Sequence, residues 1–514
     1  MAKVFLDAII KRADFEEMGN NVSQTDLFSE LKTTDLQSKL IYPFLRKPDF
    51  QRETNEWDEN KICDFLDCFI NGDLIPSIIL WRSSSGFYFI IDGAHRLSAL
   101  LAWLNDDYGD GKISLDFFDG NISEEQKKIA ESARKKINRK IGSYESILNS
   151  IETNNELLIQ KAKNVGAYSL KVQWVKGDVK KAENSFFKIN QQGVPLNKTE
   201  EKLLENRRKG NCIAARAIKT GGVGHKYWAE FNAENQNEIQ RISEEINKSL
   251  FTPPLIGPVK SPDLPIAGKI SSAQTVPLIL DFVNIVNSIP IDFKEFVLDD
   301  ETGDETLKYL KKVRKVVWRI NSVHQSSLGL HPLVYFYSVD GRHKPASFYA
   351  ATEFVMELES QKKLNDFIKV RNTFEAFLLK YSYFPQQFND KYKYASKSYK
   401  NIALMYLKLV NILQIEQSID TAAIKILQDK DFNFLKIDQQ HNIQEPFSNF
   451  TNESKSAVFI KEALTNPIRC KICQGLIHQN SITIDHIVRD REGGKGNLEN
   501  GQLAHPFCNS TYKN

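Results

Sequence analysis

Several absences narrow the field before any motif is considered. Nowhere in the 514 residues does an apolar run approach the roughly 20 needed to cross a bilayer as a helix. Cysteine is sparse, with six in all, which argues against a disulfide framework and suits a reducing compartment. Neither charge prevails: 68 Lys and Arg against 65 Asp and Glu leave +3, so nucleic-acid contact must come from local patches rather than a global field. The start, Met1-Ala2-Lys3-Val4-Phe5-Leu6-Asp7, places an acid where a secretory signal stays apolar. The expectation is a cytoplasmic globular protein with no membrane partner, long enough for two to four domains.

Half of those few cysteines gather at one end. Cys470 and Cys473 are separated by two residues, as are His505 and Cys508, and 31 residues lie between the pairs. Two such pairs make a closed set of four soft or borderline ligands, the pattern of tetrahedral zinc. Four protein ligands leave no open position, so the ion is expected to be structural. The competing reading is three free cysteines buried as small hydrophobes.

Inside that loop Ser481-Ile482-Thr483-Ile484-Asp485-His486-Ile487 alternates apolar and polar residues like a half-buried strand. Asp485 and His486 therefore fall on opposite faces or at the strand's end. Gly493-Gly494 breaks the chain into a turn, a second short strand is predicted over 500–503, and a helix is predicted to start near Pro506. The order is strand, strand, helix, pinned by zinc. This resembles the HNH nuclease family with its ββα-metal fold: Asp485-His486 fits the first signature, Asn500 the middle asparagine and Asn509 the third position. The third zinc ligand, usually cysteine, is His505 here. The resemblance implies that Asp485 and Asn509 hold a divalent cation, Mg2+ or Mn2+, at the scissile phosphate. It also implies that His486 is the general base and that Asn500 braces the loop orienting it. The chemistry is consistent, since hard cations take oxygen ligands and histidine is the side chain suited to proton transfer near neutral pH.

Toward the other end, Lys61 to Ile70 carries apolar residues at helical spacing. Ile75 to Trp81 and Phe87 to Ile91 read as two strands joined by Ser83-Ser84-Ser85-Gly86. The second runs into Asp92-Gly93-Ala94-His95-Arg96 and a helix with Leu97, Leu100, Leu101 and Leu104 on one face. A strand, a glycine turn and a helix start with Arg96 make an anion cradle; the alternative is a structural turn in which Asp92 caps the helix and Arg96 pairs with an acid. With Phe50-Gln51-Arg52 and Phe186-Phe187-Lys188-Ile189-Asn190 through Leu196 and Glu200, this region resembles the ParB/sulfiredoxin-like domain of bacterial restriction and anti-phage defence proteins. That resemblance implies nucleotide or phosphate binding, ATP or GTP, by Asp92, Gly93, His95, Arg96, Arg52 and Asn190. His95 stands where glutamine is common, which separates binding from hydrolysis.

Between the two ends the patterning is helical: Val276 to Val286, Lys308 to Arg319, Phe348 to Leu358, Leu364 to Tyr381 and Ile402 to Ile415. The basic stretch from Lys127 to Lys140 and the Lys391-Tyr392-Lys393-Tyr394 segment suit either a phosphate backbone or plain solvent exposure. His331 reads as a core or capping histidine. The expected fold is α+β multidomain. An arm (1–35) precedes a ParB/sulfiredoxin-like domain (36–210), a mainly helical domain (211–430), a linker (431–465) acting as a tether, and a zinc-stapled HNH domain (466–514). Together the resemblances imply a metal-dependent DNA endonuclease or nickase in defence against foreign DNA, with a homodimer where both strands are cut. The alternatives are a DNA-binding protein with a non-catalytic zinc module and a nucleotide-hydrolysing switch.

Overall fold

The computed structural model describes residues 3–15, 27–49, 51, 53–152, 155–192, 202–203, 206–255, 257–272, 274–290, 293, 296–437 and 450–513. The chain divides into two units, Met1–Arg207 with Val223–Tyr227, and Arg208–Gly222 with Trp228–Asn514.

The first unit is built on a mixed six-stranded sheet of β1 (Arg12–Ala13), β2 (Glu30–Lys32), β3 (Leu45–Pro48), β4 (Ile78–Arg82), β5 (Tyr88–Asp92) and β6 (Ser169–Val175). Their order across the sheet is β1-β3-β5-β4-β6-β2. The central hairpin β4–β5 is antiparallel, while β3 and β6 run parallel to its outer sides. Period-2 alternation splits the side chains between two cores. Ile78, Leu80 and Ile90 face the larger core, with Leu66, Leu97 and Leu101; Trp81, Phe89 and Ile91 face a smaller aromatic one with Phe15 and Phe186. The helix Glu59–Asn71 shows why these segments fold locally. Asp58 caps it by accepting the N–H bonds of Asn60 and Lys61, its apolar stripe Ile62, Phe65, Leu66 and Phe69 is buried, and Gly72 stops it at φ +76°.

The described residues among 1–35 are not the expected peripheral arm. They supply both edge strands, β1 and β2, and Leu6, Ile9, Ile10 and Leu31 are buried in the larger core. Strands of two and three residues are too short to show a period in sequence. The basic helix Glu124–Lys140 is largely neutralised within the unit: Arg134 pairs with Asp106 and Asp110, Lys136 with Glu59 and Lys140 with Asp64. That favours a paired surface face over a phosphate track.

The second unit is a helical block that carries the zinc-type module. Ala233–Phe251, Thr275–Val286, Asp304–Ile320, Pro345–Ser360, Leu364–Lys380 and Ala395–Leu413 are its main helices. An aromatic cluster locks three of them: Phe354 stacks on Phe374 at 5.5 Å, and Tyr406 meets both rings edge-on. Each such buried ring contributes about 2 kcal/mol or more. His331 caps the short helix Pro332–Tyr335. The segment expected as a tether is packed instead. Phe432 and Leu435 are buried, and Asn452–Ala463 is a helix whose Ser456 hydroxyl accepts the N–H of Val259 at 3.0 Å; residues 438–449 of the expected linker lie outside the described residues. Its polar composition hid a helix with a narrow buried face.

The last elements are β7 (Thr483–His486) and β8 (Gly501–Ala504), an antiparallel pair, followed by a helical turn over Cys508–Tyr512 wound with π-type spacing.

Candidate nuclease site and metal centre

The four ligand-type atoms of Cys470, Cys473, His505 and Cys508 lie within 4.8 Å of one another, and all four residues are buried. The backbone explains the convergence. Gln474, at φ +59°, lets the first pair fold back so that its N–H meets the carbonyl of Cys470 at 2.9 Å, and the Cys470 N–H meets that of Gly475. Lys471 N–H donates to Leu503 O at 2.9 Å and ties this knuckle to β8. His505 Nε2 reaches Leu476 O at 2.9 Å, which turns Nδ1 toward the sulfurs, 3.4 Å from Cys473 Sγ and 4.0 Å from Cys508 Sγ. Hydrogen bonds from Cys473 and Cys508 hold the Cys470 thiol far below its ordinary range, and the same contacts push Cys508 upward. A bound cation would let all three sulfurs ionise together. Burial, then Arg371, lowers His505 and favours the neutral ring that ligates. Spacing, donor chemistry and burial all fit a zinc-type Cys3His site.

The hairpin beside this cluster holds the acid and the histidine. Asp485 faces Gln502 across the β7–β8 ladder, and His486 faces Gly501. The two neighbours point to opposite faces: Asp485 is 4% exposed while His486 is open to solvent. Asp485 Oδ2 accepts from Gln502 Nε2 at 2.7 Å and from Lys513 Nζ at 2.8 Å. Lys513 Nζ also donates to the carbonyl of His486, and Arg489 fixes the Lys513 backbone. Asn500 forms a two-way amide clamp, with Oδ1 accepting Val488 N–H at 2.7 Å and Nδ2 donating to Val488 O at 3.0 Å and Lys495 O at 2.9 Å. The clamp needs a glycine at 494, where a Cβ would run into the Val488 carbonyl. Asn509 donates to Ile484 O at 3.2 Å, one residue before Asp485. Sequence reading missed Gln502 and Lys513; only strand register and a return of the chain bring them to Asp485.

In the N-terminal unit the turn after β5 holds four of the six expected residues. Gly93, at φ +97°, starts the helix Ala94–Asn105. Arg96 is tied to Asp92 at 2.6 Å and to Ser77 O at 3.4 Å, and His95 stacks on Trp57 at 5.8 Å between ring centres. The Asp92–Arg96 pair is made within the turn itself, and no side chain caps the helix. Arg52 and the side chain of Asn190 lie outside the described residues. The loop that carries Arg52 is anchored by a group that sequence reading also missed, the buried Arg12. Its Nη1 meets the carbonyls of Pro48, Asp49 and Gln51, and its guanidinium pairs with Asp7 at 2.7 Å.

Residues 26–207 match the family described as GmrSD restriction endonuclease, N-terminal domain, and residues 470–514 match HNH endonuclease. No curated protein and no solved structure matches the chain. No described helix is long and apolar enough to cross a membrane.

Proposed function

We propose, from the premise that this chain is a restriction endonuclease of the GmrSD type with an HNH nuclease domain, that it hydrolyses DNA phosphodiesters at the end of β7 under control of its N-terminal domain. The observation that carries the reading is the Asn500 clamp, which holds the segment after His486, at Val488, against the start of β8 and so presents an exposed imidazole at a fixed strand end. His486 takes the proton of the attacking water. Asp485, with Asn509, offers oxygen donors for Mg2+ or Mn2+, and the Lys513 ammonium already seated on the buried Asp485 carboxylate marks that position as one that favours positive charge. When bound, the cation stabilises charge developing on the scissile phosphate. Zinc on Cys470, Cys473, His505 and Cys508 is structural.

The N-terminal sheet unit, matched over 26–207, is the sensing module and 466–514 the cutting module. Asp92, Gly93, His95 and Arg96, with Arg52 and Asn190, bind ATP, GTP or another phosphate, and that event, or a modification on foreign DNA, licenses cutting. A homodimer supplies the second active site that double-strand cleavage requires.

The test is cleavage of supercoiled plasmid and of modified phage DNA by wild type and His486→Ala, with Mg2+ or Mn2+ or with EDTA, and with and without ATP or GTP. Metal-dependent cutting that falls about 100-fold or more in the variant is expected. If neither protein cuts any substrate while both bind DNA, the catalytic assignment is overturned.

A further inference from the structure

The helix Leu364–Lys380 of the helical block sends two charged side chains beneath the Cys3His cluster, and neither Arg371 nor Glu375 has any solvent exposure. Arg371 Nε pairs with Glu375 Oε1 at 2.7 Å. Its Nη1 bonds the carbonyl of Leu328 and lies 3.2 Å from His505 Nδ1, and its Nη2 donates to Gly329 O at 2.9 Å. Glu375 uses its other oxygen to accept the N–H of Leu476 at 2.9 Å, and Oε1 also takes the Tyr335 hydroxyl at 3.2 Å. Leu476 is the residue whose carbonyl holds His505 Nε2. One ion pair therefore lies against both sides of the cluster: the guanidinium packs beside the histidine ligand, whose Nδ1 lone pair would go to the metal, and the carboxylate holds the knuckle through its backbone.

Two glycines record how close the approach is. A Cβ at Gly475 would overlap the Arg371 guanidinium, and one at Gly329 would press on the His505 ring. Burying a full ion pair is costly unless its geometry and remaining hydrogen bonds are satisfied, and here the guanidinium meets a carboxylate, two carbonyls and an imidazole. The electrostatics give the arrangement a purpose. Three thiolates, one neutral imidazole and Zn2+ carry a net charge of −1 by formal count, and a guanidinium against the ligand shell offsets it. Ligand-orienting partners of this kind typically change metal affinity 10- to 100-fold.

We infer that Arg371 and Glu375 are positioning residues of the metal centre, supplied by the helical block, so that metal retention by the nuclease module and the folding of Leu364–Lys380 with the Leu328-Gly329 loop are a single linked equilibrium. The inference rests on the reading that the cluster holds zinc.

The experiment uses the full chain. Zinc content is measured in wild type, Arg371→Met, Arg371→Lys, Glu375→Gln and, as a surface control on the same helix, Lys369→Met. Zinc transfer to a chromogenic chelator is then timed, and the absorption spectrum of the Co2+-substituted proteins is recorded. Arg371→Met should release zinc at least 10-fold faster and shift the thiolate-to-Co2+ bands, with Arg371→Lys and Glu375→Gln intermediate and Lys369→Met like wild type. Stripping zinc from wild type should also lower the hydrogen-exchange protection of 364–380 and 328–329, a readout that stands even where Arg371→Met does not fold. Unchanged release and spectra in the folded variants, or unchanged protection on stripping, overturn the inference alone. A wild-type chain without about one equivalent of zinc overturns it together with the zinc reading.

Discussion

Both units bury a charged network, and the two are held together in different ways. In the N-terminal unit Asp7, Arg12 and Lys47 meet with Thr54, through hydrogen bonds made among the first 54 residues. Lys47 is fully buried, with Nζ 2.7 Å from the Asp7 carboxylate, the Asp7 carbonyl and the Thr54 hydroxyl. In the C-terminal unit Arg371 and Glu375 reach partners from Leu328 to His505, and the charge they face belongs to a metal-ligand cluster. The first network is completed by the chain alone. The second lies against ligands whose charge changes when the cluster is loaded. Buried charge is thus a fastener in both places, but only one of the fasteners responds to its surroundings.

Removing the metal should break the comparison most sharply. Structural zinc contributes on the order of 10 kcal/mol to small sites, so a strong chelator, or Cys470→Ser, should abolish cleavage and unfold the region around 466–513. The melting of the sheet unit should stay in place; calorimetry with tryptophan fluorescence separates the two transitions. Equal loss in both units would remove the distinction. Next in size is Arg12→Met, which leaves Asp7 and three loop carbonyls without their guanidinium. Breaking a buried pair costs roughly 3–5 kcal/mol, and the loss should appear in the sheet unit's transition with zinc content unchanged.

Acid sharpens the comparison further. Burial lowers His478 from 6.5 to about 4, against the opposing pull of Asp263. The unfolded chain therefore takes up a proton at this residue well before the folded one, and the C-terminal unit should lose stability as pH falls from 6.5 to 4. The loss is of order 3 kcal/mol, and His478→Gln should flatten it. Asp7 loses stability in the same direction but in a lower pH window. Burial would raise it, yet Arg12 and Lys47 hold it well below 3.8, so its contribution is fully present above that value and is lost only in stronger acid. Denaturation midpoints measured against pH should show the C-terminal unit weakening first.

The same contrast separates what was legible in the sequence from what was not. The strands β4, β5 and β7, the helices read between Val276 and Ile415 and the four cluster residues follow from local spacing, because a 2- or 3.6-residue period and a two-residue gap between ligands are written into consecutive positions; the helix Ala233–Phe251 was not read. The linker and arm were misjudged for the same reason: a three-residue edge strand has too few positions to show a period, and polar composition concealed the helix Asn452–Ala463. At the N-terminal turn, sequence left open an anion cradle or a structural turn in which Asp92 caps the helix and Arg96 pairs with an acid. The structure pairs the two with each other at 2.6 Å, and no side chain caps the helix from Ala94.

By itself the sequence determined the grouping at the chain's end: which four side chains converge and which acid and histidine are adjacent. Only the tertiary structure decided which charges are buried and with whom. Arg371 lies 134 positions from His505 and Lys513 lies 28 from Asp485. A charged residue inside a core looks in sequence like any surface residue, because its burial is set by partners that come from elsewhere in the fold and satisfy it there.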